Sequence, residues 1–259
     1  MPFPAVKRVI YDKNPLAEVI FQARFPRFLP IETEPPAEFQ KRLIADYPIY
    51  EQRNVLQIIF APPQEVRPIA SEVTGRMHTF QSRDRVWTVT LVGDYFSVST
   101  NLYRRWEDLR QRIEAILKVA LEVYSFPIFT RIGLRYQDVI SRERLGLANT
   151  RWADLLQNYI AGELVTAEIP EETLMSRETV LTMKLDGGDA LLLRHGLVSH
   201  KETQKIAYLL DSDFFNEEQR TANIDDTLRV ADRLHANSGR FFRWCITDKL
   251  HNAMVPLDA

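Results

Sequence analysis

The stretch Val86-Trp87-Thr88-Val89-Thr90-Leu91-Val92-Gly93-Asp94-Tyr95-Phe96-Ser97-Val98-Ser99-Thr100-Asn101-Leu102 decides the fold. Its two arms are rich in β-branched and aromatic residues, and only Gly93-Asp94 separates them. A two-residue Gly-Asp link between such runs predicts a tight antiparallel hairpin. Immediately after it, Trp106, Leu109, Ile113, Ile116, Leu117, Ala120 and Tyr124 recur at spacings of three and four, while Glu107, Arg110, Glu114 and Lys118 fall between them. That is an amphipathic helix over 106–124, stopped by Pro127.

Working back from the hairpin, Val19, Phe21, Ala23 and Phe25 alternate within Ala17–Phe25, a strand that Pro26 ends. Pro36 suits the first turn of a helix running to Tyr47, with Phe39, Leu43 and Tyr47 on one stripe. Val55–Phe60 reads as a strand, followed by a connection through Pro62, Pro63 and Pro68 and then by Phe80 in a further β section.

Working forward, the order recurs. Arg131–Tyr136 is a strand in which Ile132, Leu134 and Tyr136 alternate. Thr150 is placed to cap a helix through Trp152, Leu155, Leu156 and Tyr159. Thr179–Leu185, the turn Asp186-Gly187-Gly188-Asp189, Ala190–Ser199 and Lys205–Phe215 follow, and then a last helix from Asp225 carrying Leu228, Ala231, Leu234, Phe241, Phe242, Cys245, Ile246 and Leu250. The first strands start at Ala17 and Arg131, 114 residues apart; the long helices start at Trp106 and Asp225, 119 apart. The expectation is an α+β chain of two tandem β-α-β-β-β-α units, 1–126 and 127–259, sharing one compact domain. Its mainly antiparallel curved sheet would carry the long helices on one face.

This element order is similar to that of TATA-box-binding-protein-like folds, in which two pseudosymmetric units form one curved sheet. In addition, Glu18–Phe25, Tyr103–Asp108, Arg131–Tyr136 and Phe242–Leu250 resemble stretches of a sporadically distributed bacterial family of about the same length. That resemblance spans nearly the whole chain and implies a single module of bacterial origin. The family has no established activity, so no catalytic residue is carried over.

Composition narrows the function classes. The 259 residues are 45% apolar and 26% charged, with 33 Lys+Arg against 35 Asp+Glu for a net charge of −2. A chain of this kind buries a sizeable core and is neither disordered nor fibrous. Nucleic-acid binding is not expected, because it draws on clustered cations, and here Arg83, Arg85 and Arg104 sit among Asp84, Glu107 and Asp108. The first fifteen residues lack the apolar run of a signal peptide, and no stretch approaches the roughly 20 apolar residues of a membrane span. With a single cysteine, Cys245, no internal disulfide can form, and a cytoplasmic location is expected.

Catalytic signatures are few. None of the nine glycines builds a G-x-G or a G-x-x-x-x-G-K loop, so no nucleotide cofactor is implied. No two of the five histidines have H-x-x-x-H spacing, and no metal site is implied. Cys245 falls on an apolar helical stripe, as an inert packed thiol does. Ser97 and Ser99 read as strand residues, and Glu171-Glu172 and Glu217-Glu218 as solvated loop acids.

Three sets of residues stand out nonetheless. Trp87, Tyr95 and Tyr103 with Arg83, Arg85 and Arg135 are the residue types that dominate docking hot spots, and are candidates for a binding face on the sheet. His195, His200, Asp211 and Asp213 form a candidate polar site between the units. His235 borders the stripe of the last helix, where a histidine commonly hydrogen-bonds a neighbour. The expectation is a non-catalytic module that docks a protein partner, with a homodimer among the partners. An enzyme or small-ligand receptor with its site between the units is the alternative, and nucleic-acid binding across the open sheet face a third.

Overall fold

The hairpin at Gly93-Asp94 forms, with Val92 opposite Tyr95 and Trp87 opposite Thr100. Its β-branched and aromatic side chains pair across the ladder, the unit from which sheets draw stability. The computed structural model describes residues 3–60, 68–166, 168–199 and 205–258; Pro62, Pro63 and His200 lie outside the described residues.

In chain order, the first half runs β1 (Val9–Tyr11), β2 (Leu16–Arg24), the short helices α1 (Leu29–Thr33) and α2 (Ala37–Leu43), β3 (Ile49–Phe60), β4 (Pro68–Gln81), β5 (Trp87–Val92), β6 (Tyr95–Thr100) and α3 (Trp106–Tyr124). The second runs β7 (Ile128–Phe129), β8 (Arg131–Ile140), α4 (Arg142–Leu145), α5 (Asn158–Ala161), β9 (Arg177–Lys184), β10 (Asp189–Ser199), β11 (Ile206–Asn216), β12 (Arg220–Thr221), α6 (Ile224–Cys245), α7 (Asp248–Ala253) and β13 (Pro256–Asp258).

Nine strands form one sheet in the order β3-β4-β5-β6-β2-β8-β11-β10-β9. Every neighbouring pair is antiparallel. The protein is thus α+β with a large antiparallel sheet. β2 and β8 lie side by side at its middle, with Phe21 opposite Leu134 and Ala23 opposite Ile132. The alternation sends Val19, Phe21, Ala23, Ile132, Leu134 and Tyr136 to one face, where all are buried. There α3 meets β6, and α6 meets β8 and β11. The α3 stripe from Trp106 to Ala120 is buried against the sheet. Each large side chain removed from water in this layer contributes about 1.5–3 kcal/mol. Among the described residues, no helix is long and apolar enough to cross a membrane.

Local signals set most helix ends. Asn223 caps α6 by accepting from Asp226 N at 3.1 Å, and α3 ends at Ser125 in a left-handed conformation (φ 49°) two residues before Pro127. The β9–β10 turn is made at Gly187 (φ 69°) and Gly188 (φ 76°), a geometry that glycine adopts without strain.

Four expected elements differ. The helix expected from Thr150 is instead a 3-10 turn at Trp152–Asp154 and the four-residue α5. Trp152, Leu155 and Leu156 are fully buried there, and the backbone between them bonds the end of α6 (Gln157 N to Cys245 O, Thr247 N to Leu155 O, both 2.9 Å), so tertiary pairing replaces helical bonds. The last helix breaks after Cys245, and Thr247 recaps the chain by accepting from Leu250 N. α2 stops at Leu43, although Phe39, Leu43 and Tyr47 are all buried as its stripe requires. β3 begins at Ile49, six residues before Val55, because its partner β4 is long enough to pair it.

Candidate functional site

Tyr136 and Asp138 continue the inward row of β8, Ile132-Leu134-Tyr136-Asp138-Ile140. An aspartate in that row points a carboxyl into the layer between sheet and helices. Beside it, β11 brings Ser212 opposite Tyr136. β2 pairs Leu16 with Asp138 and then slips by one residue before Glu18 pairs with Gln137. Such a bulge bends the strand and opens space next to it.

α6 crosses this part of the sheet with His235, Ser238, Gly239 and Phe242, while Tyr103–Arg105 and the start of α3 close one side. Residues 6–16 run across the other. That segment is anchored by β1, which pairs with β13, and by Tyr11, whose hydroxyl lies 2.7 Å from His251 Nδ1. The space enclosed is about 350 Å³ and is lined by Ile10, Tyr11, Leu16, Tyr103, Tyr136, Asp138, Ser212, His235, Ser238 and Phe242 among others. That is within the size range of small-molecule sites, which combine an apolar lining with a few convergent polar groups.

His235 is held on two sides. Its Nδ1 lies 2.8 Å from the Tyr136 hydroxyl, and its ring stacks on Trp106 at 4.5 Å with 11° between planes. Trp106 is itself fixed by its Nε1–H donating to Asp232 at 2.8 Å, and Asp232 also accepts from Arg110 at 3.0 Å. Burial, with Arg8 nearby, pulls His235 down to about 4, so the ring is neutral at pH 7. Tyr103 meets Tyr136 edge-on at 6.1 Å, and burial raises both phenols above their ordinary range.

Asp138 is the exceptional group. Its residue is 5% exposed, and burial alone pushes its carboxyl up to about 8, with no ion pair or side-chain hydrogen bond among the described residues to offset the loss of water. At pH 7 the inner wall is therefore uncharged: a protonated carboxyl, a neutral imidazole and two phenols. The outer rim carries Lys7, Arg8, Arg104, Arg105, Arg240 and Arg243. Arg8 is paired with Glu107 at 2.6 and 2.9 Å, and Arg243 with Asp248.

Neither a protein-family model nor a curated protein matches this chain.

Both serine hydroxyls in the cavity donate to backbone carbonyls, Ser238 to His235 O at 2.8 Å and Ser212 to Tyr136 O at 3.4 Å, so neither is activated by a base. Among the described residues no three His, Cys, Asp or Glu side chains are grouped to hold a metal ion. Cys245 is buried, and burial holds its thiol far above its ordinary value.

Of the residues singled out in the sequence, Tyr103 and His235 lie in this cavity; the others are dispersed. Trp87 is on the helix-covered face, under the guanidinium of Arg112 at 4.4 Å, and so does not join a binding face on the open side of the sheet. Tyr95 is half-buried at the end of β6 opposite Arg24. Arg83 and Arg85 are exposed in the turn between β4 and β5, with Arg85 at φ 57°.

The open face does carry Arg135, bound to Asp211 through two hydrogen bonds of 2.6 and 2.5 Å, and Asp213, bound to Arg131 at 2.7 Å. His195 is on the opposite side of the sheet, with Nδ1 2.8 Å from the Tyr208 hydroxyl. The sheet itself thus separates His195 from Asp211 and Asp213, because residues at odd positions of β10 and β11 face opposite ways once the strands are paired Leu193 to Ser212. The alternation that marks Ile132, Leu134 and Tyr136 in the sequence extends two residues further to Asp138, an acid on the inward face.

Proposed function

We propose that the protein is a small-ligand receptor whose site is the cavity between residues 6–16, the Tyr103–Arg105 segment and α6, and that it binds without covalent chemistry. One observation carries this reading: the lone, buried carboxyl of Asp138 on the cavity wall. An aspartate held at about 8 costs a folded protein about 4 kcal/mol at pH 7 relative to the ionised unfolded chain. Stability on its own would favour an apolar residue there. A binding site gains a neutral carboxyl able both to donate and to accept.

The test uses Gly239, which lines the cavity and where an added Cβ would meet nothing within 4 Å. Gly239 is exposed among the lining residues, so Gly239→Phe places a ring at the cavity's edge without a clash at Cβ. Small acids, alcohols and amines are screened by thermal shift on wild type and on this variant. Compounds that stabilise wild type alone support the receptor; a collection that raises neither melting temperature, or raises both equally, refutes it.

The same reading treats the chain as two tandem units, 1–126 and 127–259, although the first carries four sheet strands (β3–β6) before its long helix where the expected β-α-β-β-β-α order has three. The strand order supports it: the central strands β2 and β8 open the two halves, and β6 and β11, the sheet strands preceding the long helices, flank them. The cavity would then lie where the units meet. A protein-docking role for the open face has less support, since Arg131 and Arg135 are already engaged by Asp213 and Asp211.

A further inference from the structure

The charge around the cavity does not follow that of the molecule. The chain as a whole has two more acids than bases, yet beside tyrosines and a neutral His235 the lining holds Lys7, five arginines and a single carboxyl, Asp138, which burial keeps protonated. Two of the arginines, Arg8 and Arg243, are neutralised by Glu107 and Asp248. Arg104 and Arg105 are exposed at the mouth, and among the described residues neither is in an ion pair. They immediately precede α3, a helix of 19 residues whose first turn has no side-chain cap and carries Glu107, which Arg8 engages, and Asp108. Cations beside the positive end of a helix over a partly enclosed cleft concentrate anions. Deeper in, Tyr103, Tyr136 and Phe242 offer aromatic surface, and Asp138 and Ser212 offer uncharged hydrogen-bonding groups.

We propose that this cavity selects small anions with a planar apolar body: a carboxylate or phosphate toward Arg104 and Arg105, a ring against Tyr103, Tyr136 and Phe242, and a neutral polar edge toward Asp138. This rests on the receptor reading above and adds the sign of the ligand's charge and its orientation. No bond is made or broken.

Indole-3-acetate, indole-3-ethanol and tryptamine share one body and differ in charge. Titrated calorimetrically into the full chain at low salt, the acid binds at least tenfold more tightly than the alcohol, and the amine most weakly. Arg104→Gln with Arg105→Gln lowers the acid's affinity five- to tenfold and leaves the alcohol's unchanged, and added salt weakens the acid alone. A mononucleotide and phenyl phosphate, titrated in parallel, show whether phosphate is accepted as well as carboxylate. Equal affinity for acid and alcohol, or preference for the amine, overturns the charge selectivity while the cavity remains a receptor. If none of the compounds binds, and Gly239→Phe behaves as wild type throughout, the receptor reading falls with it.

Discussion

The hydroxyl of Tyr136, on the central strand β8, lies 2.8 Å from Nδ1 of His235, near the middle of α6 and 99 residues further along the chain. This contact ties the helix to the sheet at the edge of the cavity and, among the described residues, gives a half-buried imidazole its one side-chain hydrogen bond. Tyr136→Phe keeps the ring and removes the bond, leaving a buried nitrogen unsatisfied. The expected loss is about 1–2 kcal/mol in urea unfolding; an unchanged midpoint would mean that the pair contributes nothing.

Stability should peak near pH 6.5. Asp138 has a folded pKa of about 8, above its unfolded value, so its contribution is fully present at low pH and is lost as pH rises toward 8. His195 and His235, both lowered to about 4, act oppositely: their penalty is fully present below 4 and is relieved as pH rises to about 6.5. Between pH 6.5 and 8 the aspartate acts alone and should remove roughly 2 kcal/mol. Asp138→Asn should abolish that falling limb in chemical denaturation at several pH values. A variant that still weakens over the same interval would assign the limb to another group.

Gly239→Ala should stabilise the protein by about 0.5–1 kcal/mol. The position is inside α6, and its added Cβ meets nothing within 4 Å, so only the backbone entropy of the unfolded chain changes. A fall in melting temperature would mean that the added methyl group meets a neighbour at α6.

Arg233 holds Asp189 through two hydrogen bonds, at 2.7 and 2.8 Å, and the Asp189 side chain is fully buried beside Asn216. Removing the guanidinium strands a buried acid where β10 begins. Arg233→Ala should cost about 3 kcal/mol and Arg233→Lys nearly as much, since an ammonium cannot reproduce the fork. Full rescue by lysine would reduce the interaction to simple charge. Neither residue lines the cavity, so ligand titrations should be unchanged in any variant that folds.

The hairpin at Gly93-Asp94, the strand Ala17–Arg24, the helix Trp106–Tyr124 and the turn at Gly187-Gly188 were legible because each is written in spacing, side-chain shape or glycine placement within a few residues. The helix expected from Thr150 was not. Trp152, Leu155 and Leu156 have helical spacing, but the end of α6 supplies their backbone with other partners. The break between Cys245 and Asp248 was hidden in the same way, because an apolar stripe continues across it in sequence while Thr247 ends the hydrogen-bond ladder in space.

By itself, then, the amino-acid order determined which segments extend, which coil and which faces are greasy, because those properties arise between near neighbours. It also held the key sign of the site, an acid in the inward row of β8. What only the tertiary structure decided is convergence. Strand pairing put Asp211 and His195 on opposite sides of the sheet, and the path of α6 brought His235 to Tyr136 and Trp106. The first outcome depends on the register between neighbouring strands and the second on helix packing across 99 residues of chain, and no local pattern encodes either.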